Sequence, residues 1–170
     1  MENQKQSIKS LILLYGTILA IVTILISVVK YAMGNHLERN VWESVLGIAL
    51  MIALTVYPIM QLKKDNNGLL NLSQSIKIGL GVAAVSGIIS IVYFFVFANY
   101  IEPNFAKEVM DVQMSEAIKQ NPNLSSADLE KGREMGQKFV MPMLYGGIIV
   151  VNLFLGFIIS LIAGLAMKKE

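Results

Sequence analysis

The residues able to do acid-base or metal chemistry are few and badly placed for it. His36 is the one histidine of the chain, it lies two residues from Glu38, and there is no cysteine at all. One imidazole cannot build a multi-histidine metal site, and without cysteine there are no thiolate ligands, iron-sulfur clusters, disulfides or thiol nucleophiles. His36 therefore reads as a solvated loop histidine. The apolar runs described below contain no Asp, Glu, Lys, Arg or His in their cores, which argues against proton pumping and intramembrane proteolysis, both of which need ionisable groups at depth. Serines occur in these runs, but none has a His or Lys at a spacing that would activate it. Gly79, Gly81 and Gly87 do not precede a Lys-Ser/Thr pair and make no phosphate cradle. No catalytic, cofactor-binding or metal-ligating residue is assigned, and no enzymatic activity is expected.

What remains is weaker chemistry. Asn152, Thr23, Thr55, Ser86 and Ser90 would place neutral polar groups inside apolar runs, where each needs a partner. Tyr15, Tyr57 and Tyr93 either line a polar path or anchor helix ends at the interface. Glu108, Asp111 and Glu116 offer acids for a cation or a basic partner, although such spacing ordinarily marks a solvated face.

The elements that carry these residues follow from hydropathy. With 55% hydrophobic and 15% charged residues among 170, the composition is that of an integral membrane protein. A formal net charge of +2 without a basic run gives no footprint for nucleic acid. About 20 apolar residues at 1.5 Å rise cross the hydrocarbon core. Four runs qualify, at 11–29, 44–60, 78–98 and 143–167. The first, flanked by Lys5, Lys9 and Lys30, is long for a signal-peptide core and reads as a retained span. Trp42 suits the interfacial belt, and Pro58 falls in the last turn of the second span, where it would bend the exit. Asp65 to Gly68 is a turn signal, after which Ser73 or Ser75 is expected to cap the third helix.

Two spans carry small residues every four positions: Gly79, Ala83 and Gly87 in the third, and Asn152, Gly156, Ser160 and Gly164 in the fourth. Such stripes let helix backbones approach closely in lipid, so these seven are expected to be helix-packing positions. Asn152 is expected to bond across to a neighbour, with a solute-contacting role as the alternative.

Residues 99–139 form the one long polar excursion and hold twelve of the charged residues. Pro103 is expected in the first turn of a helix whose apolar strips include Phe105, Val109, Met110, Met114 and Ile118, a possible docking face. Asn121-Pro122-Asn123 ends it. Ser125 with Asp128 as a capping box, and Leu124 with Leu129 as a staple, start another helix that runs on into the fourth span. Gly132, Gly136, Pro142, Gly146 and Gly147 point to a bend near Pro142.

Four spans put both termini on one side. Lys5, Lys9, Lys63, Lys64, Lys77, Lys168 and Lys169 lie close to span ends on that side. On the other side, beyond Lys30 and Arg39, the basic residues are diluted along the excursion, so both termini are expected in the cytoplasm.

Three stretches also resemble a known family. Gly68-Leu-Leu-Asn-Leu-Ser-Gln-Ser-Ile-Lys-Ile-Gly79, Tyr100-Ile-Glu-Pro103-Asn-Phe105 and the Lys168-Lys169 ending resemble the domain of unknown function 4199 family. The resemblance implies a four-helix membrane protein of the bacterial inner membrane, of Bacteroidota type, with no activity to carry over. The two helices of the excursion come from the sequence itself. The fold expected is all-α, a single membrane domain over 1–170 built as a four-helix bundle with a helical extramembrane excursion between spans three and four. Its expected partners are the lipid bilayer and either a second copy or another membrane protein. The function expected is that of a non-enzymatic structural, interaction or accessory component of a membrane assembly, with a small oligomeric transporter or channel for an ion or polar solute as the alternative.

Overall fold

A computed structural model describes residues 7–38 and 40–169. Lys5 and Arg39, used above as span flank and in the charge comparison, lie outside the described residues. The chain folds into α1 (Ile8–Ala32), α2 (Val41–Asp65), α3 (Leu72–Val96), α4 (Phe105–Gln120) and α5 (Ser126–Met167), with a π-helical segment, Phe97–Ile101, prolonging α3. α1, α2, α3 with its π extension, and α5 are each long and apolar enough to cross a membrane.

The spanning helices run beyond the apolar runs because polar caps lie outside them. Ser7 accepts from the Ser10 amide at 3.1 Å and Asn40 from the Trp42 amide at 3.0 Å. At α3 the cap is Asn71, not Ser73 or Ser75. Its side chain accepts from the Gln74 amide at 2.8 Å, while Gln74 accepts from the Asn71 amide at 3.1 Å. That reciprocal box satisfies two donors at once, and Ser75 is left to be buried in the bundle. Pro58 does not end α2. It sits buried inside the helix, which continues two turns to Asp65. The turn that follows places Asn67 and Gly68 at φ 56° and 86°, a left-handed stop that glycine accepts without steric cost.

α3 is the hub. Ser75, Ile78, Gly79, Val82, Ala83, Ser86 and Gly87 are buried along one stripe, between α1 on one flank and α5 on the other. Ile78, Val82 and Ala83 join Leu11, Leu19, Ile59 and Leu62 in the core, which fills the half of the bundle nearer the termini. There Leu70 and Lys169 exchange two backbone hydrogen bonds, at 2.9 and 3.0 Å. In the π segment the Glu102 amide reaches the Phe97 carbonyl at 2.8 Å. The wider turn carries Phe97 and Ala98 into the protein, where both are buried.

The excursion is a helical hairpin. Pro103 lies before α4 and not within it, in a turn closed by the Phe105 amide donating to the Glu102 carbonyl at 3.0 Å. Ser125 caps α5 as expected by accepting from the Asp128 amide at 3.2 Å. The Asp128 carboxylate takes the Ser125 hydroxyl at 2.7 Å, in place of the backbone N–H of a full box. α5 stays helical through Pro142 for 42 residues, about 63 Å.

Candidate functional site

The small-residue stripes meet each other within one chain. A Cβ added at Gly156 would stand 2.6 Å from the Ala83 Cβ and 2.8 Å from the Gly79 carbonyl oxygen; one added at Gly79 would collide with Ser160. Gly164 faces Ser75 and Leu72 in the same way, and Gly87 faces Ile149 and Asn152 at ordinary contact distance. The α3–α5 seam is therefore a close backbone approach held by dispersion contacts, and it uses these stripes inside the bundle.

Along the bundle axis from this seam, toward the hairpin, the packing opens. All four spanning helices contribute to a cavity of about 310 Å³: Thr23 and Ser27 from α1, Gly47 and Met51 from α2, Ser86, Ser90, Tyr93 and Phe94 from α3, and Asn152 from α5. Four of the five deep polar residues singled out in the sequence thus come together. Thr55 is the exception, buried elsewhere with no partner for its hydroxyl among the described residues. The Asn152 amide donates to the Ile148 carbonyl at 2.7 Å, one turn back on its own helix and not across to a neighbour. Thr23 donates to the Leu19 and Ala20 carbonyls and Ser27 to the Thr23 carbonyl. The tyrosines form no continuous path. Tyr15 packs against Tyr57 with ring centres 5.7 Å apart and donates to Gln61 at 3.1 Å, whereas Tyr93 belongs to the other half of the bundle.

Aromatic rings flank the cavity on the hairpin side. Tyr93 stacks on Phe97, and Phe94 meets Phe105 and Tyr145 edge-on. Phe97 meets Phe105 and Tyr31 in turn. His36 sits in this cluster, edge-on to Tyr31 and Phe97. Its side chain is only 18% exposed, and Nε2 is 3.1 Å from a carboxylate oxygen of Glu108. The reading of His36 as a solvated loop residue is corrected here: the link between α1 and α2 folds inward because the ring has aromatic neighbours and a carboxylate to bond. Tyr31 donates to Glu102 at 3.3 Å, and Lys30 pairs with Glu43, so the rim of the cluster is tied by three polar contacts. The sequence held no signal for the His36–Glu108 pair, whose members are 72 residues apart.

The expected docking face is mostly used internally. Met110 is 2% exposed and its side chain fills the notch at Gly136, while Met114 covers Gly132. Phe105 belongs to the aromatic cluster, Val109 is half-buried, and Ile118 is exposed. Asp111 pairs with Arg133 across the hairpin at 2.9 Å. In the part of α5 that precedes its apolar run, the large apolar side chains left exposed are instead Met135 and Phe139, at 64% and 58%.

Four apolar spanning helices, a small-residue seam and a helical hairpin define a multi-pass α-helical membrane protein. The chain belongs to the family described as "Protein of unknown function (DUF4199)", which matches residues 14–169. No curated protein and no solved structure matches it.

Proposed function

We propose that this protein is a non-enzymatic accessory component of an assembly in the bacterial inner membrane, with both termini in the cytoplasm and the α4–α5 hairpin outside. The orientation rests on the lysines clustered at the span ends nearer the termini. The absence of ionisable residues from the span cores supports a role without catalysis.

The observation that carries the reading is the hairpin. Met110 and Met114 seat into glycine notches, Asp111 pairs with Arg133, and His36 ties α4 to the α1–α2 link. The result is a braced projection and not a slack connection. It leaves Met135 and Phe139 exposed one turn apart on one face of α5, a surface suited to another membrane protein. Because the glycine stripes are used within the chain, a homo-oligomer would have to associate through other surfaces. Photocrosslinkers at positions 135 and 139 in native membranes are expected to trap one defined protein, and Met135→Glu with Phe139→Glu to abolish the product in a correctly folded protein. Crosslinks to lipid alone would overturn the reading.

The cavity favours a second reading, a small transporter or channel. Leu19, Ile59, Ile78 and Val82 pack tightly between the cavity and the termini, so passage would require this apolar plug to open. Liposome flux of small polar solutes tests it.

A further inference from the structure

The cavity has a lining chemistry that defines what can occupy it. Ser86 is 2% exposed and lines the space, yet its hydroxyl has no hydrogen-bond partner among the described residues. The Ser90 and Tyr93 hydroxyls line the same space, again without a partner among the described residues. Asn152 commits its NH2 group to the Ile148 carbonyl and keeps its Oδ1 as an acceptor. Thr23 and Ser27 use their protons on their own helix but retain acceptor lone pairs. A polar group surrounded by hydrocarbon costs free energy until something bonds it, and here such groups converge from three helices on one volume.

We infer that this cavity binds a small uncharged solute bearing both hydrogen-bond donors and acceptors, of the polyol or amide class. The argument for neutrality is that no Asp, Glu, Lys, Arg or His lines the space. An ion stripped of water there would meet no opposite charge. Size sets the other limit: about 310 Å³ is the volume of roughly ten waters at about 30 Å³ each, which fits urea or glycerol. The hydroxyls supply donors and acceptors, and the Asn152 carbonyl oxygen supplies a fixed acceptor. Tyr93 and Phe94 join the lining to the aromatic cluster, so that cluster borders the site on the hairpin side. The inference concerns occupancy, and binding without flux would leave it standing while removing the transport reading.

The native absence of cysteine makes the test direct. Ser90→Cys, Ile88→Cys and Asn99→Cys proteins in nanodiscs would be treated with a small water-soluble methanethiosulfonate, with and without urea or glycerol. Ser90→Cys is expected to react, because a thiol in a polar cavity can ionise. Ile88→Cys on the lipid face is expected to stay inert. Either solute should slow the reaction at position 90 by the factor 1 + [L]/Kd, about threefold at twice Kd, while leaving exposed position 99 unaffected. Asn152→Leu, and separately Ser86→Ala, should remove that protection in proteins with unchanged helical content. No reaction at position 90 would mean a dry cavity. Reaction without protection would mean water as the sole occupant, and equal slowing at position 99 would mean a bulk effect. Each of these, or protection persisting in both cavity variants, would overturn the inference.

Discussion

His36 Nε2 stands 3.1 Å from Glu108 Oε2, and this pair joins the short α1–α2 link to the first helix of the hairpin across the aromatic cluster. Its strength is more than that of a surface contact, because the ring is largely buried and has Tyr31, Phe97 and Phe105 as neighbours. His36→Ala removes the bond and leaves a void among the rings, so a loss of about 2–3 kcal/mol is expected. Glu108→Gln keeps the shape and a hydrogen bond and should cost less, about 1 kcal/mol. Thermal unfolding in mild detergent reads both, and equal effects would show that the bond, and not the packing of the ring, carries the stability.

The same cluster borders the polar cavity through Tyr93 and Phe94. Phe97→Ala removes the ring that touches Tyr93, Tyr31 and Phe105 together. It is expected to raise the methanethiosulfonate reaction rate of Ser90→Cys severalfold while leaving Asn99→Cys unchanged. No change at position 90 would place the entry to the cavity elsewhere, between helices.

The α3–α5 seam makes glycine substitutions sharply position-dependent. Gly156→Leu must force Ala83 and the Gly79 backbone away, and overpacking of this kind costs about 1–3 kcal/mol or more. Gly146→Ala and Gly147→Ala, where an added Cβ meets nothing within 4 Å, should be neutral to slightly stabilising on helix propensity. A melting series in one detergent compares the three. If the Gly156 variant melted with the wild type, the seam would not be a close-packed interface.

Met110 anchors the hairpin and not the spans. Met110→Ala empties the notch at Gly136 and is expected to destabilise α4 by about 2 kcal/mol, read as faster amide hydrogen exchange over 105–120 with little change in 72–96. Exchange rising equally in both segments would mean that hairpin and bundle unfold as one unit.

The four apolar runs lie within the four long apolar helices because hydropathy marks them locally, and the Ser125 start was legible because cap chemistry is local. Small residues every fourth position likewise pointed to a close seam, although not to whether the two stripes would meet in one chain. What escaped was longer-range or too subtle in spacing. Asn71 outcompeted Ser73 and Ser75 for the α3 cap because only Asn71 has a glutamine three residues on. In the sequence Gly132 and Gly136 read with Pro142 as bend signals, whereas they are receptacles for Met114 and Met110, a relationship that depends on the antiparallel register of two helices. The single extra residue per turn in Phe97–Ile101 leaves no trace in a 3.6-residue periodicity. The convergence of Thr23, Ser86, Ser90 and Asn152 depends on rotations of four helices that hydropathy does not specify.

The continuity of α5 has a mechanical meaning. Its inner third is wedged against α3 at Gly156, Ser160 and Gly164, and its outer end bears the hairpin, so one rod of about 63 Å works as a lever with its fulcrum in the seam. With the fulcrum at Ser160, about 51 Å from the tip, a tilt of about 10° sweeps the far end by about 9 Å. Load applied to the tip at Ser126 thus reaches the residues lining the cavity through Asn152, which rides on the same rod, and Pro142 is the point along it where stiffness is lowest.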